Sequence, residues 1–206
     1  MRDFHVFIEQ QGEKIYVGKI TGSGSEDAIF TYAQEYLDNP SSCPISIHLP
    51  LQAQNFSAEE TSLFFEGLLP EGFTRKCVAG WIHADEYDYL TILAALGREC
   101  LGAIQIIEDG MDVPKAGYQK LTREDVCRLA KEGASEAAEL VTKAHLSLTG
   151  ASGKVGLYYK IDTNEWYLPI GAAPSTHIVK QSHVRLDGIV TNEQLCLQTA
   201  KNLGID

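Results

Sequence analysis

The apolar and polar positions of residues 1–40 predict a β-hairpin followed by one short element. Residues 5–9 and 14–20 alternate with period two on either side of the turn-prone residues 11–13, which is typical of two paired antiparallel strands. The apolar positions within residues 30–37 fit either a strand or a short helix, because the periodicity does not decide between them.

Residues 43–107 predict another strand, three helices and a closing strand. The alternation within residues 43–51 indicates a half-buried strand closed by Pro50. Residues 57–60 have the capping-box pattern, so they open a helix that is expected to carry Leu63 and Phe64 on its inner face. The remaining two helices and the closing strand are expected at residues 71–81, 87–96 and 101–107.

The second half of the chain predicts a sheet with a helix on either side of it in sequence. Residues 108–120 are polar and turn-rich, so they are the expected linker. A helix begins near Thr122, and a capping-box pattern at residues 191–194 opens a final helix. The strands between these helices are expected at residues 144–149, 154–160, 165–170 and 175–180. We therefore predict an α+β protein, with one domain at residues 1–108 and a second at residues 118–206.

The composition excludes several kinds of partner and site. The formal net charge is −11, so direct binding of DNA or RNA is not expected, whereas a basic protein partner would be attracted. No apolar run is long enough to cross a membrane, and the N-terminus does not read as a signal peptide. The five cysteines are widely spaced, and the six histidines show no metal-ligand spacing. We expect a cytoplasmic protein with reduced thiols and no metal site.

The most informative stretch is the glycine-rich turn at residues 150–154, which contains Gly150, Ala151 and Lys154. Exposed backbone N–H groups with a lysine beside them suit nucleotide phosphates. The P-loop pattern is absent, because Leu148 and Val155 stand where that motif requires a glycine and a hydroxyl. An ordinary glycine hairpin with a solvated lysine is the alternative interpretation.

Lys180, at the end of the strand predicted at residues 175–180, strengthens the nucleotide hypothesis. Residues two apart in a strand share a face, so Ile178 and Lys180 point the same way, as an adenine wall followed by a phosphate contact would require. Glu193 is the candidate partner of Lys180, as the αC glutamate pairs with the β3 lysine in protein kinases. Acidic residues favour the first turn of any helix, so a purely structural role for Glu193 stays open.

The chain resembles the N-terminal half of HipA-type bacterial toxin kinases. The likeness is carried by residues 30–51, by residues 64–72 together with Arg75, by the glycine-rich turn, and by the strand and helix that contain Lys180 and Glu193. It covers essentially the whole chain.

The resemblance implies an N-terminal mixed subdomain packed with a protein-kinase-like N-lobe, which is an antiparallel sheet plus a helix. The residues that it assigns to the nucleotide site are Gly150, Ala151, Lys154, Ile178, Lys180 and Glu193. It also implies that phosphorylation of Ser147 disables the kinase. Ser152 and Gly153 depart from the family's loop pattern.

The family's catalytic residues and metal ligands belong to a C-lobe that residues 1–206 lack, so this chain alone is expected to be inactive. The intact kinase would use ATP and Mg²⁺ to phosphorylate a protein serine or threonine, in a toxin–antitoxin module that produces persistence. Its partner would be a DNA-binding antitoxin of the HipB type. A non-enzymatic regulatory module of a split system is the competing hypothesis, and a small-molecule kinase is a weaker one.

Overall fold

The structure, a computed structural model, describes residues 1–10, 13–97, 103–112, 115–132, 154–171, 173–180 and 188–205. In chain order its elements are β1 Arg2–Gln10, β2 Glu13–Gly22, β3 Ile29–Tyr32, α1 Gln34–Asp38, α2 Ala58–Glu66, α3 Gly72–Trp81, α4 Tyr89–Leu96, β4 Ile104–Glu108, β5 Gly117–Lys120, α5 Arg123–Glu132, β6 Lys154–Lys160, β7 Glu165–Ile170, β8 His177–Lys180 and α6 Ile189–Asn202. The expected α+β class is therefore confirmed, with antiparallel sheets and helices.

The first sheet has the strand order β3-β2-β1-β4, and all of its pairs are antiparallel. The hairpin predicted at the start of the chain is its centre, with Ile8 opposite Ile15. Gly18 lies where β2 meets β3, and a Cβ atom there would come within 2.1 Å of the Thr31 carbonyl oxygen. Only glycine therefore fits at this position without moving one of the two strands.

One hydrophobic core covers the first sheet. Its largest side chains are aromatic, and Phe30 stacks on Phe56 and tilts against Phe65, with ring centroids 5.9 and 5.4 Å apart. Helix α4 is buried along most of its length and contributes residues such as Leu93 to this core. Such aromatic contacts add to the burial of apolar area, which is the main force that folds this region.

The strand predicted within residues 43–51 is wrong. This segment is irregular and has a single bridge, between Ser46 and Leu49. The Tyr32 hydroxyl donates to the Leu49 carbonyl oxygen at 2.6 Å and accepts from the Ile45 amide at 3.1 Å. A buried side chain thus satisfies backbone groups that a neighbouring strand would otherwise have to pair, while Ile47 is 87% exposed.

The inner face predicted for α2 is right for Phe64, which packs against the core, and wrong for Leu63, and the predicted capping box is present between Ser57 and Glu60. The buried residues are Thr61 and Phe65, whereas Leu63 is 72% exposed. The Thr61 hydroxyl accepts from the Phe30 amide at 2.9 Å, so a polar side chain ties the helix to β3. Apolarity alone placed Leu63 on the inner face instead of Thr61, because a hydroxyl with a backbone partner can be buried at little cost.

The second sheet has the antiparallel order β5-β7-β6-β8. Strand β5 occupies the last four residues of the predicted linker and pairs with β7, so that segment is partly sheet. A small core lies on one face, formed by Leu121, Leu129, Val155, Leu157 and Leu168. The strand predicted at residues 144–149 lies outside the described residues.

Helix α6 begins three residues earlier than predicted. Its N-cap is Gly188, with a φ of 82°, and it supplies no side-chain cap. A backbone in this left-handed region favours glycine, which explains why the helix begins there rather than at the pattern near Thr191. None of its residues is buried. Across the part of the chain that the structure describes, no helix has the length and apolarity to cross a membrane.

Candidate functional site

Lys154 and Lys180 lie directly opposite each other in adjacent antiparallel strands. Lys154 is the first residue of β6, and its Cα partner in β8 is Lys180. Opposed residues in such a pair project from the same face of the sheet, with Cβ atoms about 4.5–5.5 Å apart. The two ammonium groups that the sequence marked 26 positions apart are therefore neighbours.

This side of the second sheet is called the lysine face below, and it carries Lys154, Ile178 and Lys180. The register places Ile178 one position further along the same face, where it is 60% exposed. Val179 points to the opposite face and packs against the small core. The predicted alternation along β8 is therefore present, with an apolar side chain next to the cations.

Glu193 forms an ion pair with Lys180. The carboxylate Oε1 atom accepts a hydrogen bond from the Nζ atom, and the two side chains are 41% and 40% exposed. Like charges placed directly opposite in a sheet destabilise it, and the α6 carboxylate offsets this repulsion by neutralising one of the two lysines. Lys154 makes no ion pair with any residue that the structure describes, so the site keeps one uncompensated positive charge.

The structure does not describe three of the predicted site residues. Gly150, Ala151 and Ser147 lie outside the described residues, so their positions relative to the lysines stay predictions. The structure does bring Lys154, Ile178, Lys180 and Glu193 together at one end of the second sheet.

Two ammonium groups on one face of the sheet can attract an anion. Within the described ranges, no group of three or more His, Cys, Asp or Glu side chains is close enough to bind one. The one carboxylate beside the lysines, that of Glu193, is already engaged by Lys180. The described residues therefore offer cations of the kind that bind phosphate oxygens.

An aromatic cluster on the lysine face was missed by the sequence analysis. Tyr158 lies four residues beyond Lys154 along β6, and therefore on the same side, with its ring centroid 4.5 Å from that of Tyr118. The Tyr118 hydroxyl donates to the Pro174 carbonyl oxygen, and burial raises the pKa of this phenol. The same period-two rule that linked Ile178 to Lys180 would have found Tyr158 from Lys154.

A family model decides what the chain is related to. Residues 10–107 match the model of the HipA N-terminal domain. Residues 10–107 therefore belong to the HipA N-terminal domain family, and the chain as a whole is similar to the N-terminal half of HipA proteins. Curated relatives agree over most of the chain: the protein Y4mE of Sinorhizobium fredii is 31% identical over 92% of it, and the serine/threonine-protein kinase toxin HipA of Shewanella oneidensis is 25% identical over 97%.

This chain spans less than half the length of these two relatives, covering 46% and 45% of them. A shorter protein, an uncharacterized one from Haemophilus influenzae, aligns over 98% of its own length with 53% of this chain at 29% identity. A solved complex of Shewanella oneidensis HipA, HipB and operator DNA has the same fold. Its TM-score is 0.69 at 22% identity, with 97% of this chain and 45% of that chain covered.

Residues 64–72 and Arg75, which carry the resemblance to the HipA signature, connect neighbouring helices. Arg75 pairs with Glu66 at 2.8 Å and donates from Nε to the Glu86 carbonyl oxygen at 2.5 Å. These contacts link α2, α3 and the loop before α4. Gly72, with a φ of 54°, allows the chain to enter α3 after Pro70. The signature therefore fixes the helices over the first sheet rather than contacting the lysine face.

Proposed function

We propose that this chain is the N-terminal part of a HipA-like toxin kinase, which transfers the γ-phosphoryl group of ATP to a serine or threonine of a protein. Within it, residues 1–108 form one domain and residues 118–206 form the nucleotide-binding lobe. Residues 1–206 alone bind nucleotide weakly and do not turn over. The module acts in the cytoplasm, as part of a toxin–antitoxin system.

The direct opposition of Lys154 and Lys180 is the observation that carries this proposal. Opposed lysines repel one another, so a purely structural sheet gains nothing from the pair. Phosphate oxygens placed between the two ammonium groups would convert that repulsion into two charge-assisted hydrogen bonds. Ile178 beside them offers an apolar wall for the base, and Glu193 holds Lys180 as the αC glutamate does in kinases.

Charge distribution supports a basic partner for the N-terminal domain. Residues 1–108 hold 16 acidic and six basic side chains, whereas residues 118–206 hold ten of each. The excess of negative charge therefore lies almost entirely on one domain, away from the lysine face. A DNA-binding antitoxin of the HipB type, which carries basic surface for DNA, would be steered to this domain by its charge.

Calorimetry with ATP tests the nucleotide site directly. We expect wild-type binding in the range of about 0.1 mM or weaker, because two exposed lysines supply only a few kcal/mol. Lys154→Gln and Lys180→Gln should each weaken binding about fivefold. Micromolar affinity for the wild-type chain would contradict the expectation that a second lobe is needed for tight binding.

Lys160→Gln is the matched control for both lysine variants. Lys160 lies on the same strand and the same face as Lys154, at the other end of β6, where its partner is Glu165. Its removal changes the net charge equally without touching the proposed site, so ATP affinity should stay within about twofold. An equal loss in all three variants would reduce the effect to general charge and would overturn the site.

A regulatory module is the second candidate, and one finding favours it. The Haemophilus influenzae relative is a separate protein that aligns over nearly its full length with about half of this chain. Part of the architecture therefore exists without a kinase attached. Sequencing the coding DNA beyond codon 206 separates the two functions: a frame that continues into a catalytic lobe supports the kinase, and a stop codon beside a separate kinase gene supports the regulator.

A further inference from the structure

A cavity lies at the far end of the second sheet from the lysine pair. It has a volume of about 590 Å³ and opens between the first turn of α5, the end of β5 and the start of β7. Pockets of roughly 300–1,000 Å³ accept small organic ligands. We propose that this cavity, here called the α5 pocket, binds an apolar carboxylate.

The apolar wall of the α5 pocket consists of Trp166, Val126 and Leu121. Trp166 is the cross-strand partner of Tyr159 in β6, so the two side chains lie on the same face of the sheet. Tyr159 is five residues beyond Lys154 in β6, and residues an odd number apart point to opposite faces. Trp166 therefore lies on the face opposite to the lysine face. Its ring packs 4.6 Å from that of Tyr159. A flat or aliphatic group placed in the pocket would bury apolar surface against this wall.

The charge of the α5 pocket favours one negative group. Lys120 is engaged by Glu165, and Arg128, on the same helix, is engaged by Asp125 at 3.1 Å. Arg123 lines the pocket and has no ion-pair partner among the residues that the structure describes. A guanidinium binds a carboxylate with two parallel hydrogen bonds.

Arg123 is a single available cation and lies beside the Glu165 carboxylate in the pocket lining. This arrangement does not suit a phosphate chain, which needs several donors. At the start of α5 the Asp125 amide donates to the Thr122 hydroxyl and the Thr122 amide donates to the Asp125 carboxylate, so these two amides are already engaged. The combination of an apolar wall and a single guanidinium therefore selects a monoanion with an apolar body. The two sources of that chemistry are a free organic acid and the C-terminal residue of a peptide chain.

The position of Trp166 provides the test. The chain has two tryptophans, so Trp81→Phe leaves Trp166 as the only one. Titration of this variant with 3-phenylpropionate should give a saturable change in tryptophan emission, with a Kd of about 1–10 mM. 3-Phenylpropanamide should bind at least about fivefold more weakly, because it lacks the charge that Arg123 recognises.

Two arginine variants in the same background complete the test. Arg123→Gln should weaken 3-phenylpropionate about fivefold, whereas Arg128→Gln on the same helix should leave it unchanged. Equal binding of acid and amide, equal effects of both variants, or no saturable change would each overturn the proposal. Tighter binding of the tripeptide Gly-Gly-Phe than of 3-phenylpropionate would identify a peptide C-terminus as the natural source, and weaker binding would identify a free acid.

The proposals for the α5 pocket and for the lysine face can be tested independently. Lys180→Gln removes a proposed phosphate contact from the opposite face and should leave 3-phenylpropionate binding unchanged. Arg123→Gln should leave ATP binding unchanged for the same reason. Loss of acid binding in Lys180→Gln would place the acid at the nucleotide site and overturn the separate pocket.

Discussion

The two sheets of this protein divide stability and candidate chemistry between them. Among the described residues, 21 buried ones form the core on the first sheet and five form the core on the second. The candidate nucleotide site lies on the second sheet, where a like-charge pair and an exposed helix add little to stability. A region with a large core can specify the fold, which leaves the other region free to keep surface open for a ligand.

Helices α4 and α6 show the difference between the two regions most clearly. Helix α4 buries Tyr89, Leu90, Ile92, Leu93 and Leu96, so packing stabilises it. Helix α6 buries no residue, and Leu195 and Leu197 are 58% and 60% exposed. Isolated helices of this length are marginal in water, so α6 should exchange its amide hydrogens before α4 does.

Removal of Phe65 should have the largest effect on stability. This ring is fully buried between α2 and the first sheet, so Phe65→Ala should lower the free energy of unfolding of the first region by about 3–5 kcal/mol. Trp81 lies in α3 and reports this region in urea titrations of a Trp166→Phe background.

Leu63→Ala is the control for this deletion, because Leu63 lies on the same helix and is 72% exposed. Its effect should stay within about 0.5 kcal/mol. Similar losses in the two variants would show that α2 does not pack as the structure describes.

Removal of Leu168 should have a smaller and local effect. Leu168 is 1% exposed, but its core is small and can relax, so Leu168→Ala should cost about 2–3 kcal/mol. Trp166 emission in a Trp81→Phe background follows this transition. If the regions unfold independently, the Trp81 transition stays where it is, and an equal shift of both transitions would break the comparison between the sheets.

Much of the first sheet was predictable from local patterns, and its errors have one cause. The hairpin of β1 and β2 follows from period-two alternation, which is a local property of the chain. The errors at residues 43–51 and at α2 both involve a buried polar group, Tyr32 in one case and Thr61 in the other. Which hydroxyl finds a backbone partner depends on tertiary contacts, so apolarity patterns do not contain it.

At the candidate site, local patterns predicted which face a side chain occupies but not which strands pair. Strand alternation was enough to place Ile178 and Lys180 on one face. Nothing local fixed the register of β6 against β8, and only that register makes Lys154 the partner of Lys180. The resemblance to HipA-type kinases implied that both lysines lie near ATP, but it did not supply this register.

High pH should destabilise the first region selectively. Burial raises the pKa of the Tyr32 hydroxyl to about 12, above its ordinary value near 10, so the folded state favours the neutral phenol. The contribution of Tyr32 to stability is therefore complete below pH 10 and is lost as the pH rises through about 12. The loss should reach up to about 2 kcal/mol.

Urea titrations between pH 9 and pH 12, followed through Trp81, measure this loss, and Tyr32→Phe should reduce the slope. Burial also raises the pKa of Tyr36 and of Tyr89, so some slope should persist. An unchanged slope in Tyr32→Phe would mean that Tyr32 does not titrate in this range.

Lys154→Thr should have the smallest effect on stability, and it should increase the free energy of unfolding rather than lower it. It removes the like charge opposite Lys180, so the second region should gain about 0.2–1 kcal/mol, while ATP binding weakens. Lys160→Thr makes the same substitution on the same strand and face, but opposite the Glu165 carboxylate, so it should not gain stability. The difference between the two variants therefore reports the charge that each lysine faces. That difference should shrink in about 1 M salt, because exposed charges are screened there. A loss of stability in Lys154→Thr would mean that this lysine is a structural residue with a favourable partner, and the reason to assign it to a phosphate would disappear.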